Sequence, residues 1–312
     1  MTPFAVFTPL FRALTGGRYP TPTRTPRTQA LSLERDWDDL LVQLGLPVNT
    51  FQDIAMSGSL HPHFHYRHFT KAKKDGGRRE IVEPDVKLKR VQREIIARYF
   101  KTERPHAAAV AYRKKKSIAN HVWPHAGAEL LIAADVEDFF PSTNAGRVED
   151  WWRERVHPTL ARLLTLLTTY RGGLPQGAPT SPELSNFVNR ELDERLAQRA
   201  SAAGARYTRY CDDMVFSWRY WPGPPSDFEN GIRAALHEFG YTLHPKKGWR
   251  VHPRRDEPEI TGVILTRQGR VRLPDRLRRA MRGLRRSDDL HAADRLAGYL
   301  GYQAMVCKRP RR

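Results

Sequence analysis

The sequence predicts an α+β protein built around an antiparallel sheet that is backed by two helices. Three observations predict it: a short apolar strand at Glu129 to Ala134, a β-prone hairpin that bends at residues 211–213, and a helix with one apolar face before and after that hairpin. The order strand, helix, hairpin, helix, strand is that of a split β-α-β arrangement.

Composition limits the class of partner and the compartment. The 312 residues and a 40% hydrophobic content support a sizeable buried core. The 53 Lys and Arg exceed the 34 Asp and Glu, so the formal net charge of +19 favours a polyanion such as nucleic acid. Cys211 and Cys307 are too few for a disulfide framework. No apolar run reaches the roughly 20 residues that span a bilayer, so we expect a cytoplasmic protein without a membrane partner.

The N-terminal third divides into an arm, a helix and a hairpin. Residues 1–30 are rich in Pro, Thr and Arg, which predicts a flexible basic arm. Apolar residues then recur at helical spacing from Leu31 to Leu46. Phe69 to Pro84 is predicted to be a basic hairpin that turns at Asp75-Gly76-Gly77, and a helix follows to about Phe100.

The C-terminal half carries the remaining elements of the predicted sheet and a basic end. In chain order these are a helix from Pro182 to near Gly204, strands at Ala205 to Tyr210 and Met214 to Trp218, a helix from Phe228 to Phe239, and a strand at Tyr241 to Leu243. From about residue 254 we predict a hairpin between Ile260 and Leu273, followed by two strongly basic helices that grip a duplex.

Acidic side chains follow one predicted strand and occupy the bend of the hairpin. Asp135 follows the strand that ends at Ala134, and Asp212 and Asp213 lie at the bend. Aspartate is common at turns for reasons of its own, but here β-prone residues flank the pair. Phosphoryl transfer relies on divalent ions held by neighbouring carboxylates, and magnesium prefers such hard oxygen ligands. The pattern therefore favours a metal-dependent site, if the two strands are neighbours.

Two strings carry a family resemblance. Tyr210-Cys211-Asp212-Asp213, together with Asp135, resembles the active-site pattern of reverse transcriptases. Gly172-Gly-Leu-Pro-Gln-Gly177-Ala-Pro-Thr-Ser-Pro182 resembles the loop under the incoming nucleotide in retron-type enzymes. The resemblance runs from about Lys71 to Leu284, roughly two thirds of the chain.

The resemblance implies a right-hand polymerase fold with fingers, a palm that contains the split β-α-β sheet, and a small helical thumb. By that resemblance residues 31–128 form N-terminal helices and fingers, residues 129–253 form the palm with the catalytic site, and residues 254–312 form a basic thumb-like subdomain. The arm at 1–30 lies outside it.

The resemblance also implies a role for each candidate residue. The catalytic residues would be Asp135, Asp212, Asp213 and Lys247, of which Lys247 protonates the leaving pyrophosphate. The metal-binding residues would be Asp135, Val136, Asp212 and Asp213. The nucleotide-binding residues would be Arg78, Arg79, Phe140, Gln176 and Gly177.

Phe140 corresponds to the bulky residue that excludes a ribose 2′-hydroxyl, which implies deoxynucleotide substrates. Its neighbour Phe139 is expected to belong to the core. Lys246 is the alternative to Lys247 as the proton donor in this loop. A further interpretation is that both lysines are simply solvated. Arg78 is the substitute for Arg79 as the phosphate-binding arginine, whose planar guanidinium suits bidentate contact.

The sequence partly matches two further motifs of the retron family, and it contains a histidine cluster whose role is open. The family's Asn-Ala-x-x-His element corresponds to His121-Val-Trp-Pro-His125, and its Val-Thr-Gly element corresponds to Ile260-Thr261-Gly262. The run from His61 to His68 contains four histidines but no Cys or carboxylate. Base stacking or an exposed strand is therefore the preferred interpretation over zinc binding.

The implied function is RNA-templated DNA synthesis through two Mg²⁺ ions, with Mn²⁺ as a substitute. Its partners would be an RNA template, a noncoding RNA, a DNA primer or product, deoxynucleoside triphosphates and an effector protein, in a retron-type antiphage defence role. Two alternatives stay open: a retron-related defence polymerase that needs no template, and a non-catalytic RNA-binding scaffold. Three gathered carboxylates argue against the scaffold, because like charges repel.

Overall fold

A computed structural model describes residues 65–72, 77–220, 224–287 and 289–310. Within these ranges the strands are β1 Tyr66–Ala72, β2 Arg78–Pro84, β3 Leu130–Asp135, β4 Arg206–Tyr210, β5 Asp213–Trp218, β6 Arg250–Pro253, β7 Glu259–Ile260, β8 Val263–Leu265 and β9 Val271–Arg272. The helices are α1 Val86–Tyr99, α2 Ile118–Val122, α3 Phe139–Ser142, α4 Ala145–Arg153, α5 Pro158–Thr168, α6 Ser181–Val188, α7 Arg190–Ala202, α8 Phe228–Glu238, α9 Asp275–Leu284 and α10 Ala292–Cys307. The predicted arm, the helix from Leu31 and half of the histidine cluster lie outside the described residues.

The chain divides into two compact units, and each is discontinuous in sequence. The first unit combines the residues up to Arg104 with Phe140–Val188, and the second combines Pro105–Phe139 with the residues from Asn189 onward. Among the described residues, no helix has the length and apolar character that crossing a membrane would require.

The described part of the first unit begins with the two strands of the predicted basic hairpin, and most of the predicted turn lies outside the described residues. β1 and β2 pair in antiparallel register from Tyr66 opposite Pro84. Asp85 then caps α1, because its carboxylate accepts a hydrogen bond from the Leu88 amide at 2.8 Å and thus satisfies a free backbone donor. Leu88, Val91 and Ile95 recur on one face of α1 and are buried, as helical periodicity predicts.

The described histidines of the cluster have structural partners. His65 is buried and its Nδ1 lies 2.6 Å from Asp85 Oδ2. The interpretation of an exposed, base-stacking strand is therefore wrong for His65, because this side chain packs at the start of α1. His68 lies on β1 and contacts Glu80 at 2.9 Å and the Tyr170 hydroxyl at 2.7 Å.

The second unit contains the predicted antiparallel sheet, with strand order β4-β5-β3-β6. Helices α7 and α8 pack against each other, and α7 also packs against β4. These elements confirm the predicted sheet with two helices. β3 reads Leu-Leu-Ile-Ala-Ala before Asp135, and all five of these side chains are buried because the strand has a neighbour on both sides and is covered on both faces.

One predicted element of this half is wrong, and another forms with an interruption. Residues 241–243 form only an isolated bridge, between Leu243 and Val136, and the fourth strand is Arg250–Pro253 instead. The long helix from Pro182 is interrupted at Asn189, whose buried amide exchanges hydrogen bonds with the Tyr241 hydroxyl at 2.8 and 3.0 Å. Tyr241 is therefore buried as part of the core without belonging to a strand.

The C-terminal segment differs from the predicted hairpin and basic helix pair. β7, β8 and β9 form a three-stranded sheet. Its apolar residues share a core with Leu131 and Ala133 of β3 and Val215 of β5, so the segment covers one face of the larger sheet. Helix α9 is rich in exposed arginines, but α10 contains a single basic residue, Arg295, so the prediction of a second strongly basic helix is wrong.

A buried ion pair joins α7 to β4. Arg209 Nε and Nη2 donate to the two carboxylate oxygens of Asp193 at 2.7 and 2.6 Å, and both side chains are almost fully buried. The Tyr207 hydroxyl donates to the same carboxylate at 2.9 Å, and Arg209 Nη1 donates to the carbonyl of Cys211 at 3.0 Å. Because each charge has several partners, the pair is tolerated inside the unit.

We expect Asp193→Ala to lower the free energy of unfolding by about 3–5 kcal/mol, because it leaves the Arg209 guanidinium buried without its counter-ion. The matched control is Glu191→Ala on the same helix, which removes an exposed pair with Arg195 and should change that free energy by less than about 1 kcal/mol. Urea unfolding followed by tryptophan fluorescence measures both. Equal effects of the two substitutions would contradict the assigned role of the buried pair.

Candidate active site

Two of the candidate carboxylates face each other across the sheet of the second unit. Asp135 ends β3, Asp213 begins β5, and the two residues are opposite each other in antiparallel register. Side chains in such a pair share one face of the sheet, with Cβ atoms about 4.5–5.5 Å apart. The Val136 amide donates to the carbonyl of Asp212 at 3.1 Å, which ties the third acidic residue to the end of β3.

The acidic turn itself has an unusual backbone. The predicted hairpin forms, but Tyr210 pairs with Asp213, so the connection is only Cys211 and Asp212 and Asp213 belongs to β5 rather than to the bend. Cys211 has a φ of 61°, a conformation in which glycine is the usual residue of such turns. A side chain there costs of order 1–3 kcal/mol, and non-glycine residues of this kind are frequent at functional sites.

Two hydroxyl groups reach this turn from elsewhere in the second unit. The Tyr112 hydroxyl donates to Cys211 Sγ at 3.2 Å, and Thr261 Oγ1 donates to Asp213 Oδ2 at 3.1 Å. Sequence reasoning missed Tyr112 altogether and treated Thr261 only as part of a motif. The glycine between two β-prone runs is compatible with a tight turn, but no local pattern indicates which carboxylate the preceding threonine meets.

Burial and mutual repulsion raise the pKa values of the facing carboxyls. Burial, and then the charge of Asp212, raise the pKa of Asp135 to about 6. Burial, followed by the charges of Asp212 and Asp135, raises the pKa of Asp213 to about 7. Each group thus holds its proton more firmly than an exposed aspartate does.

Nearby basic side chains partly offset the repulsion between these carboxylates. The charges of His244, Lys247 and Arg250 act on Asp135 and lower its pKa, though by less than burial raises it. Lys247 is half-buried, whereas Lys246 is exposed. The Nε of Arg250 is buried and has no hydrogen-bond partner in the described part of the chain. Sequence reasoning identified Lys247 and missed His244 and Arg250.

The donor set fits a magnesium ion rather than a preformed protein cage. Over the described ranges, no group of three or more His, Cys, Asp or Glu side chains is arranged to hold a metal ion alone. Magnesium normally binds through one or two carboxylates and takes its other ligands from water and phosphate. The facing pair of Asp135 and Asp213, with raised pKa values, supplies carboxylates of that kind and an excess of negative charge.

The loop predicted to lie under the incoming nucleotide, residues 172–182, is in the first unit, where it contacts β2. The Val82 amide donates to the carbonyl of Gln176 at 3.0 Å, and Ser181 Oγ donates to the carbonyl of Pro175 at 2.7 Å. Gly177 has a φ of 144°, and a Cβ at this position would lie 2.8 Å from the Val82 carbonyl oxygen. The close approach to β2 therefore requires glycine.

Arg78, Arg79 and Phe140 also lie in the first unit. Both arginines are exposed on β2, and Arg79 is in register with Lys71 on β1. Phe140 is 9% exposed. In the second unit, Phe139 stacks on Tyr241 with ring centroids 5.6 Å apart, which confirms the expectation that it is a core residue.

The two histidines of the partial retron element form a buried network in the second unit. His121 Nδ1 and His125 Nε2 each lie 2.8 Å from the Thr208 hydroxyl of β4, and His125 Nδ1 lies 2.7 Å from Ser217 Oγ of β5. Burial holds the pKa of both imidazoles well below the usual value. These neutral side chains therefore link α2 and the turn that follows it to the sheet.

The sequence profile of the family described as reverse transcriptase (RNA-dependent DNA polymerase) matches residues 71–302. The chain therefore belongs to the reverse transcriptase family.

Within that family its relatives are retron enzymes. The chain is 30% identical to the Retron Mx162 reverse transcriptase of Myxococcus xanthus over 81% of this chain and 58% of that protein. It is 28% identical to the Retron Ec86 reverse transcriptase of Escherichia coli over 73% of this chain and 75% of that protein. It is 30% identical to the Retron Mx65 reverse transcriptase of M. xanthus over 88% of this chain and 69% of that protein. These matches identify the retron type.

Among solved structures, an apo telomerase from Candida tropicalis, truncated from its C-terminal domain, matches 72% of this chain and 59% of its own. The TM-score is 0.46 and the sequence identity is 11%. A similarity at that level supports no inference about the fold or function of this chain.

We expect the metal-free protein to lose stability as pH rises from about 4 to about 7. The raised pKa values of Asp135 and Asp213 mean that the folded state binds protons more firmly than the unfolded state, and this contribution disappears once both groups ionise. Asp213→Asn removes one ionisable group, so at pH 8 with EDTA it should be more stable than wild type. The expected gain is of order 1 kcal/mol, or about 2–4 °C in Tm.

Thermal unfolding at pH 5 and pH 8 in EDTA measures the effect, with Asp294→Asn on the exposed side of α10 as the control. An asparagine variant that is less stable than wild type at pH 8 would contradict the assigned repulsion.

Proposed function

We propose that the protein is a retron-type reverse transcriptase that extends a DNA primer with deoxynucleotides while it reads an RNA template. The observation that carries the proposal is the cross-strand pair of Asp135 and Asp213 beside Asp212, at a turn with the family's sequence. Family membership and the retron relatives support the same activity.

In this proposal Asp135, Asp212 and Asp213 hold two Mg²⁺ ions, and Mn²⁺ can replace them. Val136 has an apolar side chain, so its contribution is limited to the backbone carbonyl. When bound, such ions would supply charge neutralisation at the transferred phosphate. The chain's own residues orient the carboxylates, and the repulsion that contributes to the raised pKa values of Asp135 and Asp213 is one that a cation would offset.

Lys247 is the proposed proton donor to the leaving pyrophosphate. Its charge acts on Asp135 and its side chain is half-buried, whereas Lys246 is exposed. An ammonium near the cluster is suited to neutralise and protonate a departing phosphate oxygen. These observations favour Lys247 over its neighbour for the role.

The incoming nucleotide is proposed to meet residues of the first unit. Lys71 and Arg79 are opposite each other in register on exposed strands, and like charges in such pairs are unfavourable without an anion. A triphosphate would relieve that repulsion. Gln176 and Gly177 would contact the base pair, and Phe140 would exclude a ribose 2′-hydroxyl.

The proposed division is fingers within residues 31–128, palm within 129–253 and thumb within 254–312. The exposed arginines of α9 support the thumb assignment, because a row of guanidinium groups suits the phosphates of a duplex. A noncoding RNA partner, an effector protein and a role in antiphage defence are further parts of the proposal, which rest on the retron relatives alone.

We expect Asp212→Asn combined with Asp213→Asn to reduce RNA-templated incorporation by more than about 100-fold, because metal ligands are lost while side-chain shape is kept. The assay extends an annealed DNA primer on an RNA template in Mg²⁺, and the product is sequenced. Asp150→Asn, at an exposed position of α4, is the control and should retain activity.

Incorporation that ignores the template would favour the untemplated defence polymerase. An inactive wild type that still binds RNA would favour the non-catalytic scaffold. Either result would overturn the proposal.

We expect Arg79→Ala to raise KM for deoxynucleotides about tenfold, which is the loss of one charge-assisted hydrogen bond. Arg78→Ala is the matched control on the same strand, because Arg78 is opposite Ala72 rather than a second cation, and it should change KM less. Steady-state incorporation at saturating primer and template measures both variants. A larger effect of Arg78→Ala would assign the phosphate contact to that residue.

A further inference from the structure

The turn of residues 211–213 is held by side chains from two distant segments of the second unit. Thr261 Oγ1 donates to Asp213 Oδ2 at 3.1 Å, and the Tyr112 hydroxyl donates to Cys211 Sγ at 3.2 Å. Tyr112 and Thr261 adopt positive φ values of 60° and 46°, as Cys211 does. Three non-glycine residues in a left-handed conformation therefore meet at one turn.

The local turn does not explain the presence of threonine at position 261. Ile260 pairs with Val263, so Thr261 and Gly262 form a two-residue connection between β7 and β8. Both have positive φ, 46° and 84°, the conformation for which Asn-Gly and Gly-Gly are preferred. A β-branched residue is an outlier there, and its hydrogen bond to Asp213 supplies a reason for it.

The position of Thr261 relative to the acidic pair is fixed by a shared core. Ile260 and Val263, on either side of the turn, are buried in one cluster with Ala133 of β3 and Val215 of β5. Ala133 and Val215 are themselves a register pair, two residues before Asp135 and two residues after Asp213. The carboxylates therefore lie on the sheet face that β7 and β8 cover.

Tyr112 is fixed by a second set of contacts. Residues 108–110 run beside Arg209 of β4, where the Arg209 amide donates to Ala108 at 2.8 Å and the Val110 amide donates to Arg209 at 2.9 Å. Arg113 then folds back, and its guanidinium donates to the carbonyl of Ala109 at 3.0 Å. These contacts hold the loop that presents Tyr112 to Cys211, and part of the Tyr112 side chain is exposed.

We propose that Thr261 and Tyr112 are positioning residues for the metal-binding turn. The Thr261 hydroxyl engages one oxygen of Asp213 and leaves the other for a divalent ion, and Tyr112 fixes the strained residue that precedes Asp212. Neither residue touches substrate in this proposal. The inference rests on the proposed function, because it assigns these hydroxyls to the geometry of the same metal site.

The experiment compares Thr261→Gly, Thr261→Ser and Tyr112→Phe with wild type. Mn²⁺ binding is measured by electron paramagnetic resonance without nucleic acid, and the Mg²⁺ dependence of templated incorporation is measured in parallel. Urea unfolding in EDTA reports on stability. The controls are Thr266→Val, which removes a hydroxyl that accepts from the Arg270 amide in the adjacent turn, and Tyr220→Phe at an exposed position.

We expect Thr261→Gly to weaken Mn²⁺ binding about tenfold and to raise the half-saturating Mg²⁺ concentration by a similar factor, as loss of a hydrogen bond to a metal ligand does. Its stability in EDTA should not fall, because glycine suits the turn better than threonine. Thr261→Ser retains the hydroxyl and should restore both values. Tyr112→Phe should produce a smaller change in the same direction, because sulfur is a weak acceptor.

Thr261→Gly with wild-type Mn²⁺ binding would overturn the inference, as would a serine variant that behaves like the glycine variant. An equal loss in Thr266→Val would also overturn it, because the effect would then belong to the small sheet as a whole. A wild type that binds Mn²⁺ but makes no templated product would overturn the proposed function instead. In that case the Mn²⁺ comparison still decides the role of the two hydroxyls.

Discussion

The antiparallel register between β3 and β5 is the constraint on which the acidic site depends. Side chains alternate between the faces of a strand, so a slip of one residue would send Asp213 to the face opposite Asp135. The apolar pattern resists that slip. Ala133 and Val215 are opposite each other and share one core, so a shifted register would also expose core side chains. Core packing and site geometry are therefore specified by the same pairing.

The second unit contains two pairs of charged side chains that differ in how their charge is compensated. The Arg209–Asp193 pair is fully satisfied by hydrogen bonds and joins a helix to the sheet. At the ends of the two central strands of the same sheet, Asp135 and Asp213 retain a repulsion that neighbouring basic groups offset only in part. The satisfied pair stabilises the scaffold, whereas the repelling pair reduces stability, as functional sites commonly do.

Much of the fold was predictable because local patterns agree with the tertiary structure. The apolar run before Asp135, the hairpin around residues 211–213 and the amphipathic α8 all form close to their predicted positions. Predictions failed where contacts distant in sequence decide the outcome. Tyr241 looks like a strand residue but is buried against Asn189, while β6 has no alternating pattern and ends in proline. The contacts of Tyr112 and Thr261 with the acidic turn connect segments that are far apart in sequence, so no local pattern could predict them.

The central position of β3 in its sheet affects how the sheet forms during synthesis of the chain. Both of its neighbours, β5 and β6, emerge from the ribosome later than β3 itself. Until β5 is available, a run of five apolar residues has unpaired backbone groups on both edges, a state that favours association with other nascent chains. Such long-range pairing also slows folding. The acidic site is therefore completed late in biogenesis, and a chain interrupted before residue 213 retains Asp135 without its partner.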